Sequence, residues 1–175
     1  MSTTKAGVGP DRTSTDRTGR PAPLGAPTGA SAMLAYSGAL PLILGAVLAW
    51  ARPDLAAAAL RFMALYGGVL LVFFGGVRWG IAVMRERGAG FSHLLGAVVP
   101  AALGLPIILT DQTTLALGAL AVILPLLLLS DLRETRVGSG APAWYLGVRV
   151  PLTISMEAAV LAGLAAALVW ATGAP

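Results

Sequence analysis

The stretch YGGVLLVFFGGVRWG, residues 66–80, is an apolar run with the length and glycine content of a membrane-spanning helix. Gly68, Gly75, Gly76 and Gly80 recur at helical spacing, which predicts that they lie along one face. A face without side chains lets a second helix backbone approach closely, and helices in lipid pack in this way because water does not drive them together. We therefore expect this segment to be the central packing helix of a membrane protein.

Composition places the whole chain in the membrane class. Of its 175 residues, 57% are hydrophobic and 11% are charged, and the mean hydropathy is +0.81. Soluble domains carry roughly a quarter charged residues, and a soluble protein this apolar could not cover its surface with polar groups. The chain has no cysteine and its only histidine is His93, so we expect no cofactor and no cysteine- or histidine-based metal or haem site.

The long apolar blocks predict an all-α fold, a polytopic membrane helix bundle with five transmembrane helices. Each block is close to or longer than the roughly 20 residues that span a bilayer. The predicted helices cover residues 33–50, 55–87, 92–109, 113–130 and 150–170. Residues 1–31, rich in proline, glycine, serine and threonine, are predicted to be a disordered tail, and residues 32–172 the five-helix domain.

Basic residues are distributed unequally between the two sides of the predicted bundle. One side holds the tail and the loops at 85–91 and 131–149, with Lys5, Arg12, Arg17, Arg20, Arg85, Arg87, Arg133, Arg136 and Arg149. The opposite side holds only Arg52 and Arg61. Because basic residues concentrate in cytoplasmic loops, the N-terminus is predicted to be cytoplasmic and the C-terminus outside. The excess of arginine over lysine and the abundance of alanine and glycine suggest a bacterial genome, so a bacterial inner (cytoplasmic) membrane is the expected location.

Arg78, beside Trp79, has two interpretations. Near the end of a span, its guanidinium would reach lipid phosphates while Trp79 anchors the helix at the membrane interface. Alternatively, Arg78 faces the bundle and binds an anion or an internal carboxylate.

Glu157 lies within the last apolar block, where a carboxylate must be paired, protonated or in contact with water. Counted from Arg149 at the membrane boundary, Glu157 lies about 10 Å into the hydrocarbon, in the same half of the bilayer as Arg78. One hypothesis is therefore an Arg78–Glu157 ion pair between the second and fifth helices. The other is a lone protonated glutamic acid, hydrogen-bonded to a backbone carbonyl.

Other polar and aromatic residues are expected near the membrane faces. Asp131, Arg133 and Arg149 form either a polar cluster that closes the cytoplasmic end of the bundle or an ordinary solvated loop. His93 is predicted to be interfacial, and a proton-linked role stays open because histidine titrates near neutral pH. The residues that fit an aromatic belt are Trp50, Trp144 and Trp170.

Several of these residues also form a family pattern. Tyr66-Gly67 followed by Gly75-Gly76-Val77-Arg78-Trp79-Gly80 resembles the signature YG…FxGGxxWG of the DUF3429 family, which includes the mitochondrial transmembrane protein 69. Asp131, Pro142-Ala143-Trp144-Tyr145 and Arg149-Val150-Pro151-Leu152-Thr153 are similar to that family's final loop and helix. The resemblance covers roughly residues 33–170 and implies an integral membrane protein of about five helices, with no established activity.

The sequence contains no nucleophile–base pair, phosphate loop or paired-carboxylate motif, so we expect a protein that is not an enzyme. The glycine face and the small size favour an accessory, assembly or scaffolding partner of another membrane complex, in contact with the lipid bilayer and with no nucleic acid. The alternative is a small-solute or proton transporter or channel that uses the charges of Arg78 and Glu157.

Overall fold

The computed structural model describes residues 29–84, 88, 90–137 and 144–171, most of which are helical. The helices are α1 (Gly29–Ser37), α2 (Leu40–Ala51), α3 (Ala56–Val83), α4 (Phe91–Leu109), α5 (Thr113–Val137) and α6 (Tyr145–Ala171). Five segments are long and apolar enough to cross a membrane: Ala32–Ala51, Ala56–Val83, Phe91–Leu109, Thr113–Thr135 and Tyr145–Ala171. The predicted all-α bundle with five membrane helices is confirmed, whereas the cytoplasmic location of the N-terminus stays a prediction.

The first predicted membrane helix is interrupted by a short break. α1 ends at Ser37 and α2 begins at Leu40, with Pro41 in its first turn, where the missing N–H of proline would have no helical partner in any case. The hydroxyl of Tyr66, on α3, donates a hydrogen bond of 2.9 Å to the carbonyl of Gly38 within this break. A backbone group left over at a helix end is thus satisfied by the neighbouring helix.

Two predicted boundaries fall at the edge of the described residues. α1 begins at Gly29, so the last part of the predicted tail is helical, while residues 1–28 lie outside the described part of the chain. The predicted end of the second membrane helix, at residue 87, also lies outside it, because α3 ends at Val83 and residues 85–87 are not described.

The last two membrane helices are longer than predicted. α5 continues to Val137 and α6 already begins at Tyr145, so both ends of the predicted loop at 131–149 are helical. Asp131 and Arg149 consequently project from helices that pack against each other. A side chain on a packed helix can be buried, whereas the solvated-loop reading required both residues to be exposed.

α3 lies at the centre of the bundle and contacts α2, α4, α5 and α6. Two of its glycines lie against α4: a Cβ on Gly75 would lie 2.7 Å from the carbonyl oxygen of Ala97, and a Cβ on Gly68 would lie 3.1 Å from that of Gly104. The contact is reciprocal, because a Cβ on Gly104 would lie 2.6 Å from the carbonyl oxygen of Gly68. Such distances are too short for a side chain, so α3 and α4 approach backbone to backbone only because these residues are glycines.

Gly76 and Gly80 do not share that face. A Cβ built on either glycine would meet no atom within 4 Å in the described chain. Adjacent residues on a helix point about 100° apart, so Gly76 cannot face the same neighbour as Gly75. The expectation of a single packing face for all four glycines is corrected accordingly: Gly68 and Gly75 pack inside the bundle, and Gly76 and Gly80 face outward.

The outward surface of α3 is apolar. Phe62, Val69 and Phe73 are each about half exposed, on the side of the helix that also holds Gly76. Exposed apolar side chains of this size are unfavourable in water but not among lipid chains, which are equally apolar. The bundle is therefore built to contact a bilayer.

Two tryptophans join α2 and α6 at the far end of the bundle from Arg149. Nε1 of Trp50 donates to the carbonyl of Ala162 at 3.0 Å, and Nε1 of Trp170 donates to the carbonyl of Ala49 at 3.2 Å. The helical donor for the Ala49 carbonyl would be the N–H of residue 53, which is a proline and has none. Trp170 thus satisfies a carbonyl that the sequence leaves without its usual partner.

A buried arginine–aspartate–arginine cluster as the candidate functional site

Arg78 projects from α3 into the bundle, where its side chain is 9% exposed. Nε and Nη2 lie 2.9 and 2.7 Å from Oδ1 of Asp131 on α5. Nη1 donates to the carbonyl of Gly96 on α4 at 3.1 Å, and Nη2 donates to the carbonyl of Leu127 on α5 at 2.9 Å. All three guanidinium nitrogens of Arg78 are therefore hydrogen-bonded within the protein.

The carbonyl of Gly96 is available to Arg78 because of Pro100. In a regular helix this carbonyl would accept from the N–H four residues later, but residue 100 is a proline and has no N–H. A backbone carbonyl without a hydrogen bond in lipid raises the free energy of the folded state by several kcal/mol, so a donor from a neighbouring helix is favoured. The guanidinium of Arg78 supplies that donor with a charged group, which makes the hydrogen bond stronger than a neutral one.

Asp131 joins Arg78 to a second arginine, Arg149 on α6. Nε of Arg149 donates to Oδ2 of Asp131 at 2.9 Å, and the side chains of Arg149 and Asp131 are only 4% and 5% exposed. The guanidinium carbon of Arg149 lies 3.6 Å from the ring centroid of Phe74, so the charge rests on an aromatic face. We refer to these three charged residues as the Arg78–Asp131–Arg149 cluster.

The cluster connects four helices. Arg78 joins α3 to α4 and α5, Arg149 joins α6 to α5, and the Phe74 contact returns from α6 to α3. Phe74 lies one helical turn before Arg78, so one face of α3 supports both arginines. The arrangement fixes the relative positions of these helices in a medium where the hydrophobic effect cannot do so.

The charges of the cluster do not balance. Two arginines and one aspartate sum to one positive charge, and Nη1 of Arg149 is buried without a hydrogen-bond acceptor in the described chain. Removing charges from water is unfavourable unless they are paired and hydrogen-bonded. Asp131 therefore supplies the negative charge that compensates the burial of both guanidinium groups.

The three residues lie at a common depth. Arg78 is 5 residues before the end of α3, Asp131 is 6 before the end of α5, and Arg149 is 4 after the start of α6. At the rise of an α-helix these offsets are about 6–9 Å. The polar-cluster interpretation was therefore right for Asp131 and Arg149, while its third proposed member, Arg133, is exposed and Arg78 takes its place.

The hypothesis of an Arg78–Glu157 ion pair was wrong. Arg78 is paired with Asp131, and Glu157 lies 8 residues beyond Arg149 on α6, about 12 Å deeper along the helix. The error came from the start of α6: Glu157 lies 12 residues after Tyr145 and 14 before the last residue of the helix, so it is central and not in the half that holds Arg78. Its Oε2 is buried and has no hydrogen-bond partner in the described chain.

The remaining residues singled out from the sequence do not join the cluster. Trp79 is 46% exposed on the outer surface of α3, which agrees with an interface anchor, but the anchor interpretation of Arg78 fails because its guanidinium points inward. His93 is half-buried in the first turn of α4. Trp144, of the expected aromatic belt, is half-buried just before α6.

Sequence reasoning missed Gly96 and Phe74. The signal for Gly96 was present, because a proline four residues later marks a carbonyl that needs a new donor. The signal for Phe74 was its position one turn before Arg78. The Phe74 ring contacts the guanidinium of Arg149 and not that of Arg78. This choice depends on how α6 packs against α3, which no local sequence pattern reveals.

The chemistry available to the cluster is binding and positioning. In the described part of the chain, no group of three or more histidine, aspartate or glutamate side chains could hold a metal ion. Each guanidinium nitrogen of Arg78 makes a hydrogen bond within the protein, and Asp131 accepts from both arginines, so these contacts hold the helices in position.

One comparison with known proteins identifies the chain. A family model described as a protein of unknown function, DUF3429, matches residues 28–166, which is most of the sequence. The chain belongs to the DUF3429 family. The search of curated proteins and the search of solved structures found no match. The family match confirms the resemblance drawn from the glycine–tryptophan motif, and the finer likeness of this DUF3429 protein to transmembrane protein 69 stays a prediction.

Proposed function

We propose that this DUF3429 protein is not an enzyme and acts by packing against another membrane protein, as an accessory, assembly or scaffolding partner. The observation that carries the proposal is the open surface at Gly76 and Gly80, which no described residue covers. The two glycines are one helical turn apart and form a Gly-x-x-x-Gly spacing on a membrane helix, an arrangement that favours close contact with a second helix.

The other glycines of α3 support this interpretation. A Cβ on Gly67 would meet Leu120 of α5 at 2.4 Å, and those on Gly68 and Gly75 would meet α4 at under 3 Å. Each of these glycines makes room for a neighbouring helix. Gly76 and Gly80 make the same kind of room on the outside, where this chain supplies no helix to fill it.

The Arg78–Asp131–Arg149 cluster also favours a scaffold. Its ion pairs join α3, α5 and α6, and the hydrogen bond from Arg78 to the Gly96 carbonyl adds α4, which suits a bundle that keeps one shape. A rigid bundle presents its outer glycines at a fixed position, so a partner helix would bind without an ordering cost on this side.

Cross-linking in native membranes tests the proposal. The chain has no cysteine, so Gly80→Cys introduces a single attachment point for a photoactivatable maleimide. Gly118→Cys on α5 is the matched control, because Gly118 is also a membrane-helix glycine whose Cβ would meet nothing within 4 Å. We expect a discrete cross-linked species from position 80 and none from position 118.

A competing substitution completes the test. Gly76→Leu fills the surface beside the probe at position 80 and should abolish the cross-linked species while the protein remains folded. A cross-linking pattern identical at positions 80 and 118, or unchanged by Gly76→Leu, would rule out this surface as the contact.

A second candidate, a small-solute or proton transporter or channel, is favoured by one observation. Glu157 is central in α6 with Oε2 buried and without a hydrogen-bond partner among the described residues, and ionisable residues inside a membrane commonly mark ion or proton pathways. Since Arg78 is bonded to Asp131, such a path would depend on Glu157 and not on Arg78. Proton or solute flux in proteoliposomes that is lost in Glu157→Gln would favour transport, and unchanged flux would reject it.

The proposed location is a bacterial inner membrane, with the N-terminus in the cytoplasm. The unequal distribution of basic residues supports this orientation. Asp111 and Arg133 lie near opposite ends of α5 and are both exposed, so they serve as reporters of the two sides. In intact cells a membrane-impermeant maleimide should label Asp111→Cys and not Arg133→Cys, and the reverse pattern would invert the topology.

A further inference from the structure

Prolines inside the membrane helices of this protein lack the N–H that would bond the carbonyl four residues earlier, and the carbonyl released by Pro100 has a donor from another helix. Arg78 donates to Gly96, four residues before Pro100. Trp170 donates to Ala49, four residues before residue 53. In lipid, neighbouring side chains are the groups that satisfy backbone atoms released by proline.

A carbonyl released in the same way belongs to Ala121 on α5. Pro125 lies inside α5 and has no N–H to donate to it. Ala121 is half-buried and packs against the buried core, so its neighbours are other helices of the bundle. Glu134, on the other flank of α5, lies near Gly96 of α4, which leaves the flank of Ala121 for α6.

Glu157 lies at the level of Ala121. Asp131 and Arg149 are in contact and fix the register between α5 and α6, which run in opposite directions from the connection that joins them. Ala121 is 10 residues from Asp131, and Glu157 is 8 residues from Arg149, so they lie about 15 and 12 Å from that contact. The difference is less than one helical turn, which a glutamate side chain can span.

We propose that Glu157 is a proton-binding site: a neutral carboxylic acid midway along α6 whose O–H donates to the carbonyl of Ala121. An ionised carboxylate could not make this contact, because it has no proton to donate. This hydrogen bond would give the Ala121 carbonyl a donor and Oε2 of Glu157 a partner, which it otherwise lacks in the described chain. The proposal depends on neither function proposed above, because a resident proton is compatible with a scaffold and with a transporter.

The surroundings of Glu157 favour the neutral form. The nearest described charges along α6 and α5 are Arg149 and Asp131, which are engaged with each other about 12 Å away. A carboxylate near the middle of a membrane helix without a cation beside it would be strongly disfavoured. The proton replaces the cation that Arg78 was expected to supply.

Infrared spectroscopy of the full chain in lipid nanodiscs at neutral pH tests the proposal. The wild-type protein should show the C=O band of a protonated carboxylic acid, and Glu157→Gln should remove it while its amide keeps a donor for the Ala121 carbonyl. Asp111→Asn is the control, since the Asp111 side chain is fully exposed and should contribute nothing to that band. A spectrum without a protonated-carboxyl band that depends on residue 157 would overturn the proposal.

Pro125→Ala tests the acceptor. It returns an N–H to position 125, so the Ala121 carbonyl regains its helical donor and the hydrogen bond from Glu157 weakens. We expect the carboxylic-acid band to move in Pro125→Ala. We also expect Glu157→Leu to change the unfolding equilibrium constant roughly three- to tenfold less in that background than in the wild type, as is typical of hydrogen bonds between membrane helices. An unmoved band together with equal effects in the two backgrounds would exclude Ala121 as the acceptor.

Discussion

Asp131 on α5 lies 2.7 Å from Arg78 on α3 and 2.9 Å from Arg149 on α6, so one carboxylate compensates two buried guanidinium groups. The three residues come from distant parts of the chain and meet only because α3, α5 and α6 share one end of the bundle. This relationship gives the sharpest test of what holds the bundle together.

Asp131→Asn should be severely destabilising. It leaves two arginines buried without a counter-charge, and breaking a buried ion pair from one side costs about 3–5 kcal/mol. We expect that loss in the free energy of unfolding, measured by reversible denaturation in mixed micelles. Asp111→Asn, at an exposed aspartate, should change the same quantity by under about 1 kcal/mol.

Replacing the whole cluster should be tolerated better than breaking it. The triple variant Arg78→Met, Asp131→Leu, Arg149→Met removes every charge together, so no ion is left unpaired, and such replacements are often neutral. We expect it to be more stable than Asp131→Asn alone by about 2 kcal/mol or more. If the triple variant were the less stable of the two, the cluster would contribute net stability beyond mutual compensation.

The stacking of Arg149 on Phe74 should be measurable as a coupling energy. Lysine keeps the charge but loses the planar group that lies on the ring, and leucine keeps the apolar volume but loses the ring. A double-mutant cycle of Arg149→Lys and Phe74→Leu should give a coupling of about 1–2 kcal/mol in the free energy of unfolding. Strictly additive losses would mean that the ring contributes only its apolar area.

Gly75→Ala and Gly76→Ala should differ sharply although the residues are adjacent. The new Cβ at position 75 would lie 2.7 Å from the backbone oxygen of Ala97, whereas at position 76 it would meet nothing within 4 Å. We expect a loss of about 1–3 kcal/mol for Gly75→Ala and almost no loss for Gly76→Ala, measured on the purified protein. Equal losses in the free energy of unfolding for the two variants would mean that α4 does not pack against Gly75.

A pH-dependent contact lies in the turn between α2 and α3. Nη2 of Arg52 lies 2.7 Å from the carboxylate of Asp54, and this hydrogen bond lowers the pKa of Asp54 below its usual value. A lowered pKa means that the contact stabilises the folded state above the usual aspartate range and loses that effect as the pH falls through the lowered value. Arg52→Gln should return the pKa of Asp54 toward its usual range in a carboxyl-carbon NMR titration, and an unchanged titration would show that the pair does not persist in solution.

Much of the fold followed from local pattern. Long apolar blocks predict membrane helices because the bilayer accepts only segments that satisfy their own backbone. The break at Gly38 and the extra turns at Asp131 and Arg149 were not predicted. Helix ends depend on which neighbour satisfies the last backbone groups, and those neighbours are distant in sequence.

The sequence alone determined that this protein belongs in a bilayer, that it crosses it with five helices, and that it carries the motif of the DUF3429 family. These properties depend on hydrophobicity and spacing, which are local. Only the tertiary structure decided that Arg78 pairs with Asp131 and not with Glu157, because pairing in lipid depends on the depth and rotation of whole helices. A shift of a few residues in where α6 begins moves Glu157 by several ångströms, and no pattern within α6 fixes that start.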